Sequence, residues 1–298
     1  MNHIYEYGID IIKFFQQLQS PVLTNIFKII TELGSETFYI VLFPFILWSI
    51  NFKKGVKLGI VFLLSVILNE ILKALLGEPR PFELVSGLNL IEEHGFGIPS
   101  GHSQSAIVIW GIISTWTDKR IGKFLCFLMI FLISFSRIYL GVHFPTDILG
   151  GWLVGGIILY VYSKYSSQVS NWLDGLQMNI QLGIVLLFTI IISITFPVKN
   201  PVGLNGLLAG FGIGLAIMYQ YYSFQFEQKI VKQTLRFIVG IVIVFPVYFL
   251  IRKIVPVETS CFYFLLVYLN KMIVGFIIIF VVSFFFKLLH LIKLENIK

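Results

Sequence analysis

The stretch Ser136-Arg137-Ile138-Tyr139-Leu140-Gly141-Val142-His143-Phe144-Pro145-Thr146-Asp147 lies where one strongly apolar run stops and the next begins. It sets Arg137, His143 and Asp147 together at a membrane boundary. An ionised side chain at the centre of a bilayer costs about 2.5–3.5 kcal/mol even on lenient insertion scales, so chains that cross membranes keep such residues for a function. The runs on either side decide the fold. The chain of 298 residues is 57% hydrophobic and only 12% charged, whereas a soluble domain is about 25% charged. Its mean hydropathy is +0.89. This composition excludes a pair of ordinary soluble domains and points to an all-α, polytopic membrane helical bundle.

Working outward, apolar runs recur at about 35–51, 56–76, 99–117, 122–142, 147–163, 179–197, 203–222, 232–251 and 262–286. Each is near the ~20 residues that cross ~30 Å of hydrocarbon, so about nine transmembrane helices are expected. Before them, Ile4, Gly8, Ile11, Ile12, Phe15 and Leu18 share one helical face, and Glu6, Asp10, Lys13 and Gln17 share the other. Pro21 ends that pattern, and Val22, Ile26, Ile30 and Leu33 begin a second one. Both read as amphipathic helices lying in the interface plane; the alternative is one spanning helix through 4–33. No cleavable signal peptide is expected, because Glu6 and Asp10 stand where a basic region would. The expected divisions are 1–34, interfacial helices; 35–163, a catalytic core; and 164–298, additional membrane helices. Gly203, Gly206, Gly210, Gly212 and Gly214 suggest close helix packing in the last of these.

Charge gives the orientation. Lys53, Lys54, Lys57, Lys119, Arg120, Lys123, Lys164, Lys229, Lys232, Lys287, Lys293 and Lys298 fall on one side of these spans. Glu78, Glu83, Glu92 and Glu93 fall on the other, with Arg252 and Lys253 against the trend. Lysine and arginine mark the cytoplasm, so the N-terminus is expected outside and the C-terminus inside. The net charge of +7 is absorbed by basic cytoplasmic loops, and nucleic acid is not an expected partner. Cys126 and Cys261 are far apart in apolar surroundings, and no disulfide is expected between them.

The residues able to do chemistry all fall on the expected outer side. Lys73, Arg80 and Arg137 supply three cations, and the arginine fork matches phosphate oxygens in pairs. Ser100 and Gly101 open a helix, where free N–H groups and the helix dipole attract an anion. His143 has Asp147 one helical turn on, able to hold one ring nitrogen and leave the other as a nucleophile. His102, at the mouth of the third run, is placed to protonate a leaving alkoxide and then activate water. Taken singly each has a plainer reading: a snorkelling lysine, a loop arginine, an ordinary N-cap, an interfacial histidine. Asn69 and Glu70, just before Lys73, are either tolerated polar residues or partners that tune it. No zinc-type Cys/His pattern, Walker loop or dinucleotide fingerprint occurs, and no metal or cofactor is expected.

Lys73 followed after six residues by Arg80-Pro81, then Pro99-Ser100-Gly101-His102, then Ser136-Arg137 with five residues to His143 and three more to Asp147, resembles the three-part signature of the type 2 phosphatidic acid phosphatase superfamily. The resemblance covers roughly 35–163. It implies metal-independent phosphomonoester or pyrophosphate hydrolysis through a phosphohistidine. By it, His143 is the nucleophile, Asp147 its orienting partner, His102 the general acid and base, and Lys73, Arg80, Ser100, Gly101 and Arg137 the phosphate ligands. The layout is also similar to glucose-6-phosphatase and the sphingosine-phosphate phosphatases, with Phe38-Tyr39, Leu42-Phe43-Pro44 and Ser136 to Leu140 carrying the likeness to the former.

The function expected from sequence is hydrolysis of a lipid phosphate or diphosphate at the outer face of a bacterial plasma membrane, with the bilayer and a phosphorylated lipid as partners. Apolar residues of 82–98 (Phe82, Leu84, Val85, Leu88, Leu90, Ile91, Phe96) are expected to contact a lipid tail. Alternatives are a phosphatase for a soluble sugar phosphate, a phosphoryl or headgroup transferase between lipids, a haloperoxidase using the same ligand set, and a non-catalytic lipid-binding protein or transporter. Nothing in the sequence specifies the oligomeric state.

Overall fold

The computed structural model describes residues 3–221, 223–225, 229–252 and 262–295. These residues form helices almost throughout: α1 (His3–Gln16), α2 (Pro21–Glu32), α3 (Glu36–Phe45) with a π-helical turn (Ile46–Ile50), α4 (Phe52–Leu76), the short α5 (Pro81–Leu84), α6 (Gly101–Ser114), α7 (Arg120–Tyr139), α8 (Pro145–Asp174), α9 (Met178–Thr195), α10 (Lys199–Tyr221), α11 (Ile230–Arg252), α12 (Tyr263–Phe276) with a second π-helical turn (Ile277–Val281), and α13 (Val282–Leu288). One antiparallel pairing, β1 (Ser223–Gln225) with β2 (Lys293–Glu295), in register Ser223 to Glu295, is the exception among the described residues. Cys261 and the connection 253–261, placed outside by charge, lie beyond the described residues, as does the Cys126–Cys261 question.

Among the described residues seven helices are long and apolar enough to cross a membrane, or eight if α2 and α3 with its π turn, bent by 49°, make one span. The difference from nine lies in the runs 35–51 and 99–117; the first is helical only as α3 and its π turn, and reaches spanning length only together with α2. The run 99–117 is helical only over Gly101–Ser114, 14 residues, or about 21 Å at 1.5 Å per residue. It starts late because 99–100 form its entry loop and cap. It is also buried on most sides, through Ser103, Gln104, Ser105, Ala106, Val108, Ile109, Gly111 and Ile112, so it packs against protein. The N-terminal residues form two helices broken at 17–20, where Ser20 caps α2 by accepting from the Leu23 N–H and Pro21 takes the first helical position. The buried stripe of α1 is Gly8, Ile9 and Ile12; Ile4 and Leu18, expected on that face, are exposed. α8 continues past 163 to Asp174, since hydropathy marks the apolar part of a helix and not its end.

The chain divides into two compact units, one of residues 1–41 and 64–166, the other of 42–63 and 167–298. Residues 42–63, expected with the catalytic core, thus cluster with the C-terminal helices. In the first unit α6 packs on α7, which also receives α1 and α2. Gln104 of α6 donates to the Ser65 carbonyl and hydroxyl at 2.8 Å and accepts from Asn69 at 2.8 Å, so α4 and α6 share a buried polar ladder.

The second unit is built on the contact of α10 with α12. A Cβ on Gly210 would stand 1.8 Å from the Met272 carbonyl oxygen, so only glycine permits this approach. Trp48, fully buried in the first π turn, donates to the Ile278 carbonyl at 3.3 Å. Arg236 of α11 is also fully buried; its Nε donates to the Trp48 carbonyl at 2.5 Å and its Nη1 to the Leu291 carbonyl at 3.1 Å. Those carbonyls sit at helix ends, where intrahelical donors run out.

Gly210→Ala should lower stability in detergent by more than about 2 kcal/mol, because backbone must move to admit the methyl. Gly183→Ala on α9, where a Cβ meets nothing within 4 Å, should instead hold or raise stability, by up to about 1 kcal/mol. Thermal unfolding of the two variants beside the parent checks the pair.

Candidate active site

Every candidate residue falls in the first unit. α7 ends at Tyr139, and Gly141 then turns the chain with a φ of +70°. A Cβ there would meet the Leu88 carbonyl oxygen at 2.0 Å, so the turn requires glycine on both counts. The turn delivers His143 to the start of α8. His143 Nδ1 lies 3.0 Å from Asp147 Oδ2, which also accepts from the Phe144 N–H at 2.9 Å. With Asp147 ionised, Nδ1 carries the bridging proton and Nε2 presents a lone pair. Nε2 lies 3.2 Å from Arg80 Nη1. Burial, and after it the positive charges of Arg80, Arg137, Lys73 and His102, hold the His143 imidazole well below its usual 6.5. The ring is therefore neutral, the form able to attack an electrophile.

Arg80 is held almost entirely by backbone. Its Nε donates to the Gly95 carbonyl at 2.6 Å, Nη2 to the His94 carbonyl at 2.9 Å, and Nη1 to the Val142 carbonyl at 3.0 Å. Glu83, one turn into α5, accepts from the Arg80 backbone N–H at 3.0 Å and closes this entry. Arg137, in the last turn of α7 and 1% exposed, donates from Nη1 to Thr31 Oγ1 at 2.7 Å and from Nη2 to the Glu93 carboxylate. Its Nε is buried without a hydrogen-bond partner among the described residues. Glu93 also stands 3.9 Å from Arg80 Nη2, so one carboxylate serves both arginines.

Ser100 is the N-cap of α6. Its hydroxyl accepts from the Ser103 hydroxyl at 3.1 Å, and its N–H donates to the Asp147 carbonyl at 3.0 Å. The capping reading of Ser100 thus holds whatever else the hydroxyl binds. Lys73 Nζ lies 4.0 Å from where a Cβ on Gly101 would stand, and Asn69 donates to the Pro99 carbonyl at 3.2 Å. His102, half-buried in the first turn of α6, shares with Arg137 a cleft of about 710 Å³. Asn25, Lys28, Thr31 and Glu32 of α2, Ser35, and Ile91, Glu92 and Glu93 form its walls. Direct contacts thus link Arg80, His143, Asp147 and Ser100, Glu93 joins Arg80 to Arg137, His102 shares a cleft with Arg137, and Lys73 stands beside Gly101. A cradle of fixed cations and helix-start N–H groups beside a neutral, carboxylate-oriented imidazole can bind a tetrahedral oxyanion and present a nucleophile to it.

Sequence reasoning missed Thr31 and Glu93. Glu93 counted only as an outer-loop charge, and Thr31 carried no signal in its helical pattern. Tyr5 and Gln16 of α1 were missed as well. The Tyr5 hydroxyl pairs with the Glu78 carboxylate, whose hydrogen bond, more than burial, pushes the phenol up to about 12. Gln16 donates to the Leu88 and Tyr139 carbonyls at 2.8 and 3.0 Å. The expected tail-contacting residues of 82–98 need correction. Leu88 is buried with Ile9, Ile12 and Phe144, and Phe82 and Val85 pack on them. Leu90 and Ile91 pack on Tyr139, Leu140 and Val142. Most of that apolar surface is internal core, leaving Leu84 and Phe96 exposed.

Residues 54–170 match the family described as the PAP2 superfamily, and residues 202–294 match the PAP2 superfamily phosphatase transmembrane extension. The first match contains all eight candidate residues. The chain is 28% identical over 168 residues to an undecaprenyl-diphosphatase of Sulfolobus acidocaldarius, across 54% of this chain and 79% of that one. Phosphatidylglycerophosphatase B of Bacillus subtilis is 27% identical over 168 residues, across 52% and 81%. Sphingosine-1-phosphate phosphatase 1 of Rattus norvegicus is 33% identical over 149 residues, which is 48% of this chain but 35% of the rat protein. Among solved structures, a transmembrane PAP2 type phosphatidylglycerolphosphate phosphatase from Bacillus subtilis aligns with a TM-score of 0.51 and 25% identity, over 57% of this chain and 89% of that one.

Glu93 occupies arginine nitrogens that an incoming anion would need. Glu93→Gln should therefore tighten binding of inorganic phosphate about tenfold. Calorimetric titration of the purified protein checks this, and weaker binding would show that the carboxylate assists the anion.

Proposed function

The chain belongs to the PAP2 superfamily, and from that footing we propose that it hydrolyses a lipid phosphate or lipid diphosphate, without a metal, through a phosphohistidine. The observation that carries the reading is the buried His143, its Nδ1 on Asp147 and its Nε2 beside Arg80. In the first step Nε2 attacks phosphorus and the bond to the leaving oxygen breaks. His102 gives that oxygen a proton, and the alcohol or lipid phosphate departs. In the second step His102 takes a proton from water as its oxygen attacks phosphorus. The P–N bond breaks, phosphate is released, and the neutral imidazole is restored. Lys73, Arg80, Arg137 and the helix-start N–H of Gly101 balance charge on the equatorial oxygens throughout. Asp147 keeps the Nδ1 proton in place and stabilises the charge that His143 acquires.

The relatives named above are phosphatases of phosphorylated lipids, which supports a lipid substrate here. The lysine and arginine bias supports a site facing outward from a bacterial plasma membrane. A second reading, a phosphate ester with a small polar leaving group such as a sugar phosphate, draws support from the polar walls of the cleft beside His102, notably Asn25, Lys28, Glu32 and Ser35. Assays with prenyl diphosphate, phosphatidate, sphingoid phosphate and hexose phosphate separate the two.

His143→Ala should abolish turnover by at least about 10³-fold while the protein still folds. Burial, and after it Lys73 and Arg80, hold His102 down at about 4, and burial and neighbouring cations keep His143 unprotonated well below 6.5, so kcat/KM should rise as the pH falls from about 7.5 to about 6, because more of the acid His102 carries its proton while the nucleophile stays free. Unchanged hydrolysis by the alanine variant would end the assignment.

A further inference from the structure

The two terminal nitrogens of Arg137 meet partners of opposite kind. Glu93, a quarter exposed on a loop, is a charge that an entering anion can displace. Thr31 is 3% exposed, sits in the last turn of α2 and holds Nη1 at 2.7 Å. Three residues on, Gly34 closes the same turn by donating to the Thr31 carbonyl at 2.9 Å. A Cβ on Gly34 would come within 2.9 Å of His102 Cδ2 and 2.6 Å of Ile133. One turn of chain therefore touches both Arg137 and the ring of His102. It lies outside the stretch 54–170 that matches the family.

We infer that Thr31 is a positioning residue for the phosphate site: its hydroxyl aims the Arg137 guanidinium, and the end of α2 belongs to the working machinery of this chain. The physical reason is the fork of the guanidinium. A planar group with five N–H bonds on a single rotatable stem is fixed only when its donors are tied at more than one place. Thr31 and Glu93 are the two ties that the described residues provide. When an anion takes the place of Glu93, Thr31 alone remains to keep the fork in plane with the incoming oxygens. The hydroxyl need not touch phosphate to do this. The inference rests on the phosphatase reading for its rate readout, but not for its binding readout.

The test compares Thr31→Val, which keeps shape and removes the hydroxyl, with Thr31→Ser, which restores it. Orthovanadate, a tetrahedral phosphate mimic, is titrated calorimetrically into the full-length protein in detergent. Thr31→Val should weaken orthovanadate about tenfold and lower kcat/KM about 10- to 100-fold, while Thr31→Ser stays within about threefold of the parent. Thermal unfolding is measured alongside, since a merely structural hydroxyl would move stability and leave orthovanadate affinity alone. Should the valine variant fail to fold, Thr31→Ala, which leaves space instead of a buried methyl, carries the same comparison. Orthovanadate binding equal to the parent in the valine or alanine variant overturns the inference, and so does a serine variant as weak as the valine one. If the parent binds orthovanadate but hydrolyses no phosphate ester, the phosphatase reading falls while the role of Thr31 is still decided by the titration.

Discussion

The first unit depends on keeping two guanidinium groups buried beside a histidine. A buried cation is tolerated only when its N–H groups are satisfied, because the desolvation penalty is several kcal/mol per ion even after relaxation. Arg80 meets this with the carbonyls of His94, Gly95 and Val142. Those carbonyls come from two loops far apart in sequence, so the arginine fixes their spacing as much as they fix it. Much of the local architecture follows from that one clamp. The loop 85–97 must return over the start of α8, Gly141 must turn tightly against Leu88, and α1 must cover the outside, where Gln16 ties Leu88 to Tyr139.

A comparison inside the chain shows what makes this pair a site. Arg236 in the second unit is as fully buried as Arg80 and also rests on carbonyls, those of Trp48 and Leu291. It joins helix ends. Arg80 and Arg137 share the carboxylate of Glu93, and one nitrogen of Arg137 has no hydrogen-bond partner among the described residues. His143 stands beside them, its imidazole kept unprotonated by burial and, after that, by the same charges that suit an anion.

How much of this was legible in the sequence follows the same physics. The eight candidate residues could be read because charged and polar side chains at the edges of apolar runs are rare. Helix positions could be read from hydropathy to within a few residues, as for α9, expected at 179–197 and found at Met178–Thr195. The length of α6 could not, because a buried helix and a spanning helix are equally apolar, and only packing decides which one a run becomes. The apolar residues of 82–98 misled for a related reason: a loop that covers a core and a loop that greets a lipid have the same composition. Glu93 and Thr31 were illegible because their meaning lies in a partner 44 or 106 residues away.

Asp147 shows how such long-range partners make the site rigid instead of merely assembled. Its Oδ2 accepts from both His143 Nδ1 and the Phe144 N–H, so ring and backbone are tied to one atom. Its own carbonyl accepts from the Ser100 N–H, which joins the start of α8 to the cap of α6. The helix bearing His102 and the turn bearing His143 therefore cannot drift apart without breaking a bond at Asp147. On the proposed mechanism the two imidazoles act in sequence on one phosphorus, and so must keep their separation to within a fraction of an ångström. A carboxylate that only oriented His143 could sit on any neighbouring element; one whose backbone also holds the cap of α6 has to come from the first turn of α8, four residues after the histidine.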